Sequence, residues 1–103
     1  MDQEVNLFLE KLKKTEGFDR VKFVYLFGSV AEGKQTPISD YDIAIYYEGD
    51  SNERFKFRLK MSGNEKFDVH IFQDLPLYIR INVLKGNLLY AKEEEFVYDL
   101  AYE

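Results

Sequence analysis

The chain has 103 residues, 46% hydrophobic and 17% aromatic, with 19 acids against 14 bases and a net charge of −5. That length holds one domain, taken as residues 1–103, with one modest core and no room for a separate substrate domain. The acidic balance argues against general nucleic-acid binding, which needs a basic surface; the lack of cysteine removes disulfide and thiolate chemistry, and a single histidine leaves zinc without its usual ligands.

In chain order, Val5, Phe8, Leu9 and Leu12 recur at helical spacing, with Asp2 as a cap and Gly17 as a stop. Val21 to Phe27 is an apolar run broken only by Lys22, read as a buried strand that Gly28-Ser29 ends abruptly. After a short turn or helix, Pro37-Ile38-Ser39 leads into a second strand, Tyr41 to Tyr47. From Arg54 to Met61, Phe55, Phe57, Leu59 and Met61 alternate with Lys56, Arg58 and Lys60, which predicts a strand. Ser62-Gly63-Asn64-Glu65 carries turn chemistry, so this strand is expected to form a hairpin with the apolar run Phe67 to Phe72. A helix opened by Asp74 and Pro76 and closed by Gly86 sets Leu77, Ile81 and Leu84 on one face; Leu88 to Tyr90 is a short edge strand and Glu93 to Leu100 a last helix. No apolar run approaches the roughly 20 residues that span a bilayer, and Met1-Asp2-Gln3-Glu4 lacks signal-peptide character, so the expected location is cytoplasmic.

The chemistry concentrates between the first two strands. A strand ending in Gly28-Ser29 lets the backbone turn sharply and come close to a ligand. Free N–H groups and the Ser29 hydroxyl there suit phosphate. Asp40 and Asp42, two apart at the start of a strand, project from one face. Carboxylates so placed repel each other, and a divalent cation relieves the repulsion. Magnesium, which binds hard oxygens and shares its shell with substrate phosphates, fits such a pair.

The stretch Gly28-Ser29-Val30-Ala31-Glu32-Gly33 followed by Ser39-Asp40-Tyr41-Asp42-Ile43 resembles the signature of the DNA polymerase beta-like nucleotidyltransferase superfamily. Within it, Ser29, Ala31, Gly33, Ser39, Asp40 and Asp42 match the minimal nucleotidyltransferase branch. The resemblance implies an α/β (α+β) nucleotidyltransferase fold, a small mixed sheet with helices mainly on one face. It implies that Asp40, Asp42 and a third acid, matched here by Asp68, hold two magnesium ions. It assigns Gly28, Ser29 and Ser39 to the nucleotide phosphates, and Asp68 also to deprotonation of the attacking hydroxyl. The reaction implied is transfer of a nucleotide, most simply AMP from ATP, to a hydroxyl with loss of pyrophosphate.

Parity adds one expectation. If Phe67, Val69 and Ile71 face the helices, Asp68 and His70 lie on the catalytic face. The hairpin then sets Lys60 beside Asp68 and Arg58 beside His70, where the row Lys56, Arg58 and Lys60 would neutralise phosphates. The plainer readings are a partly buried neighbour for His70 and a solvated face for the basic row. An acceptor must come from a partner protein, a homodimer mate or a small molecule. The resembling family implies a HEPN-type toxin partner silenced by adenylylation of a tyrosine; the alternative is a non-catalytic antitoxin acting by occlusion alone.

Overall fold

The computed structural model describes residues 3–31, 33, 40–63 and 66–101. Among them the elements run α1 (Gln3–Lys13), β1 (Val21–Phe27), α2 (Gly28–Ala31), β2 (Tyr41–Tyr47), α3 (Ser51–Met61), β3 (Phe67–Ile71), α4 (Leu77–Leu84), β4 (Asn87–Ala91) and α5 (Glu94–Ala101). The strands form one mixed sheet in the order β3-β2-β1-β4, in which β2 and β3 are parallel and the other pairs antiparallel. The small mixed α/β sheet expected from the sequence is therefore present.

The larger core lies on the face where α1 and α3 pack: Val5, Phe8 and Leu12 of α1 and Phe57 and Met61 of α3 meet Val24, Ile43, Ile45, Val69 and Ile71. A smaller cluster on the other face gathers Phe23, Tyr25, Phe27 and Ala44 with Val83 of α4 and Val97 of α5. Strand parity sends Ile43 and Ile45 to one core and Ala44 to the other.

The strand expected over 54–61 is instead helix α3, and no hairpin forms. Parallel neighbours cannot be joined by a tight turn; they need a crossover of a dozen or more residues, which α3 supplies between β2 and β3. The signal that marked the helix was the capping box Asp50-x-x-Glu53, in which the Asp50 carboxylate accepts from the Glu53 N–H at 2.8 Å and the Glu53 carboxylate accepts from the Asp50 N–H at 3.0 Å. Of the alternating apolar residues only Phe57 and Met61, four apart, are buried; Phe55 and Leu59 are exposed. Asp50→Ala is expected to cost about 1 kcal/mol, read as a lower urea midpoint at unchanged slope. The Asp50 N–H and then the Arg20 guanidinium hold Glu53 below the usual carboxylate range. Its contribution is therefore present above that range and lost as pH falls through the lowered value. Glu53→Gln should flatten this part of the acid limb of a stability–pH curve.

The buried face of α4 also differs from expectation. Val83 is fully buried with Ile79 and Leu84 packed beside it, whereas Leu77 is 65% exposed and Ile81 50% exposed. Six of the eight α4 residues are apolar, so helical spacing alone did not select which stripe meets β1. Gly86 fixes the seating: a Cβ there would stand 2.3 Å from the Leu26 carbonyl oxygen. Gly86→Ala is thus expected to push α4 off the end of β1 and destabilise the fold, detectable as a lower thermal midpoint. No helix among the described residues is long and apolar enough to cross a membrane.

Candidate nucleotide and metal site

Three neighbouring strands bring the candidate groups together. In the parallel register Asp42 of β2 stands opposite Asp68 of β3, and in the antiparallel register it stands opposite Phe27 of β1. Equal parity sends both carboxylates to the face away from α1 and α3. His70, two residues beyond Asp68, follows to the same face, where its partner across the strands is the small Ala44. Its ring lies 5.9 Å from that of Phe27, and its Nε2 is 3.1 Å from Asp68 Oδ2. Asp42, Asp68 and His70 each offer a donor atom, all within 4.8 Å of one another.

Gly28 completes the wall of this cluster. Its φ is +80°, and a Cβ there would lie 2.2 Å from Asp42 Oδ2. The bend at the end of β1 is therefore glycine both for its left-handed backbone and because the carboxylate fills the place a side chain would take. Beside it, Phe27, Ala31, Asn82, Lys85 and Gly86 border a recess of about 40 Å³. Asn82 and Lys85 were not singled out in the sequence, because only the docking of α4 on β1 brings them next to Gly28.

Burial and then the Asp68 carboxylate push the Asp42 carboxyl above its usual range; His70 opposes this and Asp40 adds a smaller push. The folded chain therefore holds the Asp42 proton to higher pH than the unfolded chain does. Stability falls as pH rises from the ordinary aspartate range through the raised value, and the full cost applies above it. In the absence of divalent cations, Asp42→Asn is expected to raise the thermal midpoint at neutral pH, with the gain vanishing in acid. A midpoint difference independent of pH would contradict this.

The other candidates are distributed as follows. Asp40, just before β2, is exposed and outside the 4.8 Å cluster, although its charge is felt at Asp42. Ser29 occupies the second position of α2. Ser39 lies outside the described residues. Because α3 is a helix, the basic row does not run alongside β3. Arg58 still reaches that strand: its Nε donates to the Val69 carbonyl at 3.0 Å, and it borders a cleft of about 310 Å³ with Phe55, His70, Ile71, Asp74 and Leu75. Lys60 borders a different depression, with Glu16, Arg20, Tyr47 and Glu53, at the other end of β2 from Asp42. The expected pairing of Lys60 with Asp68 is thus overturned, since it depended on a hairpin register that does not exist. Lys56 is exposed on α3.

A mixed sheet thus sets two acids in register beside a glycine bend. The chain belongs to the family described as polymerase beta nucleotidyltransferase, whose model matches residues 10–95. This family generally uses a nucleoside triphosphate and a divalent cation. Over 71 residues, 69% of the chain, it is 34% identical to a candidate protein adenylyltransferase of Methanocaldococcus jannaschii, and it spans 56% of that relative's length. The fold is shared with a chain of a toxin–antitoxin crystal structure containing AMP-PNP, at a TM-score of 0.70 and 21% identity, covering 93% of this chain and 80% of the other. It is also similar to a chain of the MntA–HepT toxin–antitoxin structure, at a TM-score of 0.66 and 18% identity over 97% and 81%. A third likeness, at a TM-score of 0.58 and 16% identity over 95% and 75%, is to a structure of a tri-AMPylated Shewanella oneidensis HEPN toxin with an MNT antitoxin.

Proposed function

We propose that residues 1–103 act as one cytoplasmic nucleotidyltransferase domain that moves AMP from ATP to a hydroxyl group, and that the acceptor is a tyrosine of a HEPN-type toxin partner. The observation that carries this reading is the register pairing of Asp42 with Asp68 beside Gly28. Support for the protein acceptor comes from the named activity of the Methanocaldococcus jannaschii relative and from the toxin–antitoxin complexes that share the fold.

The carboxylates alone suit a divalent cation such as magnesium: Asp42 and Asp68 present hard oxygens to one point, their mutual repulsion is relieved by a cation, and Asp40 adds a third carboxylate nearby. When bound, divalent cations, two in the full form of this reading, would neutralise the triphosphate and polarise its α-phosphorus. Gly28 and Ser29 leave the backbone at the end of β1 open to phosphate, with Ser39 assigned the same role. Among the described residues, Arg58, held by Val69, and Lys85, beside Gly28, are cations that could balance phosphate charge. Asp68 takes the proton of the acceptor hydroxyl as its oxygen bonds to the α-phosphorus, and the bond to pyrophosphate breaks.

A second reading, neutralisation by binding alone, is favoured by the apolar stripe that α4 leaves exposed at Leu77, Tyr78 and Ile81. One experiment separates the two. The protein is incubated with ATP, magnesium and the product of the adjacent gene, and the neighbour's mass is measured. A gain of AMP with wild type and none with Asp42→Asn supports transfer. An unmodified neighbour, neutralised equally by both, would sink the transfer reading.

A further inference from the structure

The imidazole of His70 is the one donor in the cluster that the carboxylate account leaves unused. It is half-buried, its ring lies against Phe27, and the residue opposite it across the strands is Ala44, so no bulky neighbour separates it from the acids. Its Nε2 stands 3.1 Å from Asp68 Oδ2 and shares the 4.8 Å donor cluster with Asp42. Two adjacent ligands of a six-coordinate ion with bonds of about 2.1 Å stand about 3 Å apart, and opposite ligands about 4.2 Å apart. The 3.1 Å between His70 Nε2 and Asp68 Oδ2 already matches adjacent ligands of one shell, and Asp42 lies within 4.8 Å of both.

We propose that His70 Nε2 directly ligates the cation held by Asp42 and Asp68, and that this mixed nitrogen–oxygen site favours a first-row transition ion over magnesium, with manganese as the probe. The inference rests on the nucleotidyltransferase reading above and adds the class of the ion. Magnesium sheds water reluctantly and takes oxygen ligands almost exclusively. A first-row transition ion accepts imidazole alongside carboxylate, so a nitrogen in the shell favours it. Neutral imidazole keeps the net charge of the ligand set at two carboxylates while filling a position that water would otherwise take.

The sequence makes the test unambiguous, because His70 is the only histidine in the chain. Tag-free protein loaded with manganese and no nucleotide is measured by pulsed electron paramagnetic resonance for coupling to imidazole nitrogen. Wild type is expected to show that coupling, and His70→Asn to lose it. Titration of the same proteins with each metal should give a manganese affinity about 10-fold weaker in His70→Asn, with magnesium affinity changed less than about threefold. His70→Phe, which keeps a ring against Phe27, should behave like His70→Asn. Bound manganese without nitrogen coupling, or an equal loss of both metals in the variants, would overturn the assignment while leaving the carboxylate site standing. Wild type that binds neither metal would overturn both this assignment and the metal-dependent reading beneath it.

Discussion

Asp42→Asn and Asp68→Asn are each expected to lower nucleotide transfer by about 10³-fold or more, at unchanged fold. Stabilisation of transition-state charge by a bound metal is worth several kcal/mol, and each 1.36 kcal/mol is about tenfold in rate. Asn keeps the shape of Asp but loses the charge that would hold the ion on this reading, so the lost stabilisation should appear in kcat and not only in nucleotide affinity. The two variants part company in stability. Asp42 is half-buried and burial, ahead of the Asp68 charge, favours its protonated form, so its replacement should strengthen the metal-free fold the more; Asp68→Asn, at an exposed position, relieves only the repulsion between the two acids. A variant more stable yet inactive is the signature of a residue retained for chemistry at the expense of the fold. Transfer rates within tenfold of wild type in both variants would remove these acids from the reaction.

Gly28→Ala should produce the second large effect. At φ +80° an alanine costs about 1–2 kcal/mol, and its Cβ would fall 2.2 Å from Asp42 Oδ2. Something must shift, and the carboxylate is the nearer and softer element. Misplacing a reacting group by about 1 Å can cost about 10²-fold in rate. Gly33→Ala is the matched control: its φ is +74°, yet nothing lies within 4 Å of the added Cβ. Gly33→Ala should lose only the backbone cost, whereas Gly28→Ala should lose that, a further amount for the clash, and activity on that scale. Equal activity in the two would mean that the contact between Gly28 and Asp42 does not shape the site.

Much of this arrangement could be read from the residues. The apolar runs ending at Phe27 and Tyr47 became β1 and β2, and the parity of Phe67, Val69 and Ile71 correctly sent Asp68 and His70 to the opposite face. Parity is local, fixed by the geometry of one strand, so it survives ignorance of the neighbours. The identity of α3 was not so accessible. Phe55 to Met61 satisfies both period two and an i, i+4 pair, and only the parallel pairing of β2 with β3, a long-range fact, demands a helix there. The capping box at Asp50 and Glu53 was the local clue that outweighed alternation. With α3 turned into a helix, Lys60 moved away from Asp68, while Arg58 reached β3 by a hydrogen bond to backbone that no sequence pattern encodes. The contact of His70 with Asp68 is likewise a matter of side-chain conformation, which spacing does not specify.

The most direct measurement follows amide resonances as manganese–ATP is added in small amounts, since the ion broadens signals from nuclei close to it. Gly28, Asp42, Asp68 and His70 should broaden first, while Tyr47 and Lys60, at the far end of β2, stay sharp. Broadening centred instead on the acidic depression of Glu16 and Glu53, or spread evenly over the chain, would contradict a nucleotide site built on Asp42 and Asp68.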